Sequence, residues 1–151
     1  MGELVTTLTK LKDDLDILIP PELTGHKEMS IGHVSKALGG VDKTMWLDKK
    51  YIAVPESEFR KIIDWDWPDN TTYIAEKYDC DNFAFSFKAR VDRKFHVNTV
   101  GLVIDYEAGH AYNVIVFANG TMKLFEPQSD SYPKEGSRMY KFNRDNVQVI
   151  I

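Results

Sequence analysis

The sequence predicts an α+β fold in which helices come first and an antiparallel sheet follows. Three observations carry this. The first 18 residues place Leu4, Val5, Leu8, Leu11, Leu15 and Leu18 at helical spacing. Residues 80–93 repeat that spacing with Phe83, Ala84, Phe87 and Val91. From residue 97 onward β-branched and aromatic residues dominate, and Asn119-Gly120 supplies a hairpin signal between two such runs.

The elements follow in order. A helix over 3–18 has Lys and Asp on its polar side and is stopped by Pro20-Pro21. A short second helix runs from Ser30, a capping residue, to Leu38, where Gly39-Gly40 ends it. Residues 44–54 read as strand, with a turn at Asp48-Lys49-Lys50. Pro55 opens a third helix over 56–63, since proline suits a first turn. The run 64–70 reads as loop by its Pro, Asp and Asn content. Asp79 stands where an N-cap carboxylate accepts free amide hydrogens, ahead of the 80–93 helix. Strands are then expected over 97–106, 110–117, 121–125, 138–142 and 146–151. Residues 1–151 are expected to form one domain, 1–70 as a helical N-terminal part and 71–151 as the core that carries the site.

Composition narrows the function classes. The 151 residues are 43% hydrophobic and 28% charged, with a net charge of -4, and show no basic stripe for nucleic acid. No apolar run reaches the roughly 18 residues a membrane span needs. Asp13, Asp14 and Asp16 are foreign to a signal peptide, so a cytoplasmic location is expected and the sequons at Asn70 and Asn119 read as coincidence. A single cysteine permits no internal disulfide and disfavours structural zinc. Nothing in the sequence fixes the oligomeric state.

The lone Cys80 falls at a helix start, where free amides and the positive end of the helix dipole stabilise a thiolate. Such a nucleophile needs a base, and the base needs a partner that fixes its tautomer. Of His26, His33, His96 and His110, the last begins a strand and is best placed to face a helix start. The partner depends on a hairpin. A two-residue Asn-Gly turn sets Glu126 opposite Asn113, on the face His110 does not share. A three-residue loop at 118–120, with Gly120 left-handed, sets Glu126 across from Tyr112 and groups His110, Glu126 and Gln128. The three-residue loop is expected, because it unites the inward apolar sets. Asn113 stays open as a rival partner for the histidine. Trp46 reads as core, while Trp65 and Trp67 are candidates for ligand contact. Asp105 and Glu107, near the turn before His110, are expected to be solvated.

The runs Tyr78-Asp79-Cys80-Asp81-Asn82-Phe83-Ala84, Gly109-His110-Ala111-Tyr112-Asn113 and Leu124-Phe125-Glu126-Pro127-Gln128 resemble the papain-like protease domain at the C-terminus of fungal fairy-ring mushroom agglutinins, and its small prokaryotic and phage relatives. The resemblance covers about residues 73–130 and implies a papain-like α+β fold. It implies a cysteine peptidase or amidase acting on a peptide or protein, with Cys80 as nucleophile, His110 as base and Glu126 as orienting acid. It also implies a calcium ion, for which Asp79 and Asp81 are the nearest oxygen ligands. The Gln that usually precedes the nucleophile has no counterpart over 71–77, which leaves Asn70 and the Cys80 amide as oxyanion candidates. That missing Gln favours the alternative: a non-catalytic binding or structural module on the same fold.

Overall fold

The computed structural model describes residues 1–66 and 73–151, with the side chains of 16–18 set aside. Helix α1, Gly2–Leu18, ends ahead of Pro20-Pro21, and its described side chains are all exposed. Strand β1, Lys27–Ser30, leads directly into α2, Ile31–Leu38. Ser30 caps α2 by accepting from the His33 amide at 3.2 Å, and His33 Nδ1 accepts the Ser30 amide in return at 3.4 Å. Strands β2, Thr44–Met45, and β3, Lys50–Ala53, are followed by α3, Glu56–Asp66, and α4, Cys80–Phe95. The rest of the sheet comprises β4, Val100–Asp105, β5, His110–Val116, β6, Met122–Phe125, and β7, Val147–Ile150.

The main sheet has the order β2-β7-β4-β5-β6, while β1 and β3 pair as a separate antiparallel ribbon. β5 explains why the sheet is covered on both sides. Its even residues Tyr112, Val114 and Val116 join Val34, Leu38, Met29 and Tyr51 from the α2 layer. Its odd residues Ala111, Asn113 and Ile115 face the α3–α4 layer, where Ile115 meets Phe59, Phe87 and Val91. A strand buried on both faces reads as a continuous apolar run, and this one does. Gly101 belongs to the same logic. A Cβ there would stand 2.9 Å from Val114 Cγ1 and 3.1 Å from Val149 Cγ1, so only glycine lets the neighbouring side chains close over β4.

The α+β class is as the sequence predicts, and several elements differ in detail. The 44–54 stretch is two strands in two sheets, because β2 runs parallel to β7 while β3 pairs with β1. The 1–70 part is therefore not purely helical. Helix α3 continues through Asp64–Asp66, held by Arg60 on Asp64 and by a two-pronged Arg90–Asp66 pair at 2.8 and 3.0 Å. Residues 138–142 form no strand beyond an isolated Ser137–Tyr140 bridge. Phe142 takes a left-handed φ of 44° and gives its amide to Asp105, so the segment turns where a strand would run straight. The β5–β6 loop has the three-residue form: Phe117 receives the Gly120 amide and donates its own to Thr121, and Gly120 sits at φ 81°. No helix among the described residues is long and apolar enough to cross a membrane.

Candidate functional site

The site grows from the end of β4. Asp105 pairs in register with His110, and the turn between them places Gly109 at a φ of 62°. The Asp105 carboxylate turns inward and is 1% exposed. It accepts the Tyr112 hydroxyl at 2.7 Å and the Phe142 amide at 3.0 Å on one oxygen, and the Ala108 amide at 3.0 Å on the other. Burial pushes this carboxyl up, but the Tyr112 hydroxyl and the loop amides outweigh it and hold it below the usual carboxylate range. The expected solvation of Asp105 is thus corrected.

A second carboxylate lies on the same face. Register Asn113↔Phe125 continues to set Tyr112 across from Glu126. Glu126, 5% exposed, accepts from His110 Nε2 at 2.8 Å and the Tyr140 hydroxyl at 2.8 Å on one oxygen, and from the Gln128 amide at 3.0 Å on the other. Burial opposes its ionisation, yet His110, the Gln128 amide and Tyr140 together hold it below its ordinary value. Desolvation, then the adjoining carboxylates, drive the Tyr112 and Tyr140 hydroxyls upward. An ionised Glu126 is an acceptor only, so the His110 nitrogen facing it carries a hydrogen. The His110, Tyr112 and Tyr140 rings close around these groups, with centroids 5.0–5.7 Å apart.

Cys80 opens α4, half-buried and unpaired. It packs beside Ala84, Leu102 and Ala111, on the α4 face of the sheet. His110, Glu126 and Tyr140 project with Tyr112 on the other face. Among the described residues the thiol makes no hydrogen bond, while His110 and Glu126 are joined directly. Asp79 gives its amide to Asn82 Oδ1 at 3.1 Å. Its carboxyl is raised, first by a hydrogen bond with Asp81, then by desolvation. Among the described residues no group of three or more His, Cys, Asp or Glu could hold a metal.

The remaining candidates separate. Asn113 is fully buried and bridges the Ala84 and Gly101 carbonyls at 2.9 and 3.1 Å, tying α4 to β4 rather than facing a ligand. Gln128 is exposed and contributes its backbone amide. Trp65 is partly buried and packs edge-on against Phe95 at 5.4 Å beside the α3–α4 core. Trp46 packs on Tyr51, as a core residue should. Trp67 and Asn70 lie outside the described residues. Sequence reasoning missed Asp105, Tyr112 and Tyr140 as members of the network. An acid closing an apolar strand just before a turn was a usable signal for the first; Tyr140, in an irregular segment, gave none.

A comparison with curated proteins gives no match. Solved structures of similar fold include the PSL1a-E64 complex, with TM-score 0.62, 20% identity, and coverage of 82% of this chain and 51% of the other. They include also the Polyporus squamosus lectin bound to the human-type influenza-binding epitope Neu5Acα2-6Galβ1-4GlcNAc, with TM-score 0.62, 21% identity, and coverage of 82% and 49%. The chain thus spans about half the length of these lectins. These findings overturn the protease resemblance and the cysteine-hydrolase function drawn from it, with its thiol-protease chemistry and peptide substrate. The similar structures include a lectin bound to a glycan, and the family model that matches is that of a lectin domain. A papain-like architecture is likewise not shown. The model of the Ricin-type beta-trefoil lectin C-terminal domain matches residues 30–147, and the chain belongs to that family.

Proposed function

We propose that this domain is a non-catalytic binding module whose ligand contacts lie on His110, Glu126 and Tyr140, with Gln128 at the rim. One observation carries the reading: a Tyr140–Glu126–His110 hydrogen-bond chain already closed at 2.8 Å in both links, with rings packed around it. Such preorganisation lowers the ordering cost of binding. A hydroxyl-rich ligand fits this chemistry, because carboxylate and imidazole exchange hydrogen bonds with hydroxyls while ring faces cover C–H surface. The glycan in the Polyporus squamosus lectin complex supports a sugar as the ligand class.

Titration calorimetry of the full chain with Neu5Acα2-6Galβ1-4GlcNAc, and with its neutral Galβ1-4GlcNAc portion, tests this. Binding to at least one is expected, weakened about tenfold or more in Glu126→Gln, a loss of about 1.4 kcal/mol per tenfold. Two results overturn it. One is silence with both sugars at millimolar concentration. The other is covalent attachment of E64 to Cys80, seen by intact mass and lost in Cys80→Ser, since that would reveal an activated thiol.

A further inference from the structure

We infer that α1 is a self-association element and that its partner is α1 of a second copy of this chain. Met1, Leu4, Leu8, Leu11, Leu15 and Leu18 follow one another at alternating steps of three and four. That is the a/d pattern of a coiled coil, in which each residue inserts between four of a facing helix with the same period. Leu4, Leu8, Leu11 and Leu15 are 49–61% exposed, so among the described residues nothing covers them. The apolar faces of α2, α3 and α4 are already spent on the cores described above.

Helix stability points the same way. Thr6, Thr7 and Thr9 are poor helix formers and turn their hydroxyls back onto the carbonyls of Gly2, Glu3 and Val5. The last turn carries no basic residue, and Asp13 and Asp14 stand near the negative end of the dipole. A lone helix of this length is marginal in water even with good formers, so this one needs a covering partner. Its tether keeps that partner from being its own domain. Pro20-Pro21 stiffens the exit, and just beyond it Leu23 packs on the α3 core while the Thr24 amide binds Glu58 at 3.0 Å.

A second copy fits because the stripe is self-complementary and its flanks permit close approach. In heptad terms the flanking positions are Val5 and Lys12 on one side and Thr7 and Asp14 on the other. A parallel pair sets Thr7 against Lys12; an antiparallel pair sets Thr7 near Asp14 and Val5 near Lys12. Neither opposes like charges. The rival seat for the stripe is the apolar groove of about 380 Å³ formed by Met45, Leu47, Phe85, Leu102 and Ile150. It presents no heptad-spaced ridge to receive such knobs.

Sedimentation velocity on the full chain over a hundredfold concentration range decides this. The wild type should dimerise or assemble further on concentration. Leu8→Lys/Leu11→Lys should be monomeric with an unchanged urea midpoint for the core. Thr9→Lys, on the polar side, and Phe85→Glu, in the groove, should behave as wild type. A wild type monomeric at every concentration overturns the inference, whether α1 proves shielded from hydrogen exchange by the Phe85 groove or binds vesicles of phosphatidylcholine and phosphatidylglycerol instead. So does an assembly that Phe85→Glu abolishes and the double leucine variant retains.

Discussion

Replacing Asp105 with asparagine tests the polar network at its most buried point. The side chain keeps its shape and its acceptor for the Ala108 amide. The other end becomes an NH₂ group facing one hydroxyl and one amide. The Tyr112 hydroxyl can rotate to accept, but the Phe142 N–H cannot, so one buried donor is left facing another. An orphaned buried donor costs about 1–3 kcal/mol, and losing charge assistance on the two surviving bonds adds about 1 kcal/mol. The expected loss is about 2–4 kcal/mol. In urea, with a slope of about 1–3 kcal/mol/M, the midpoint falls by roughly 1–2 M at constant slope. Acid supplies a second reading. Because the folded carboxyl is held below its unfolded value, its contribution is full above the ordinary carboxylate range and is lost as pH falls through the folded value. The gap between wild type and variant should therefore narrow on acidification. A variant within about 0.5 kcal/mol of wild type at neutral pH, or a gap that widens in acid, refutes the account.

Other perturbations probe separate parts of the structure. Gly101→Ala forces a methyl against Val114 and Val149 and should cost about 1–3 kcal/mol by chemical denaturation, with the larger Gly101→Val worse. Lys88→Met keeps the buried stem but removes the bonds to the Val100 carbonyl at 2.9 Å and Asp92 at 3.1 Å. Burial already raises the Asp92 carboxyl, so the loss of about 1–3 kcal/mol at neutral pH should shrink once acid neutralises that group. Tyr140→Phe removes one of the donors that depress Glu126; its carboxyl, followed by carbon NMR against pH, should titrate higher, at a stability cost of about 1 kcal/mol. An unchanged Glu126 titration would show that the hydroxyl bond is not formed in solution.

Much of this fold is legible in the sequence because the relevant forces are local. Ser30 and Gly39 bracket α2 by capping chemistry alone, and Pro20-Pro21 ends α1 without tertiary help. The strands β4 to β6 announce themselves by β-branched runs, since both sheet faces are covered. Failures fall where a distant contact overrides local preference. Thr44–Met45 is strand as expected, but its parallel partner β7 lies about a hundred residues away and leaves no local trace. Residues 138–142 have strand composition, yet the Phe142 amide goes to Asp105 and Tyr140 is held by Glu126. Trp65, a candidate for ligand contact by its Asp-rich context, packs edge-on against Phe95 while staying partly exposed. At the site, the His110–Glu126 pair followed from strand parity and loop length. The packing of Cys80 against Ala111 turns on which face of β5 lies under α4, and helix-start chemistry says nothing of that.

The chain from one turn residue to the site can be followed step by step. Gly120 adopts a left-handed backbone that side chains resist, which allows the loop to hold three residues. Three residues, rather than two, pair Val116 with Met122. That register, carried about 13 Å down the strand at about 3.3 Å per residue, brings position 126 opposite position 112. A shift of one residue would move Glu126 to the α4 face, where Asn113 already bridges helix and strand, and would leave His110 and Tyr140 without an acceptor. The polar cluster and the apolar core thus enforce the same register: the frame that buries Leu124 beneath Val114 is the frame that gives Glu126 its three donors. Site geometry here is a consequence of core packing, and a substitution at Gly120 should disturb His110 at a distance for that reason alone.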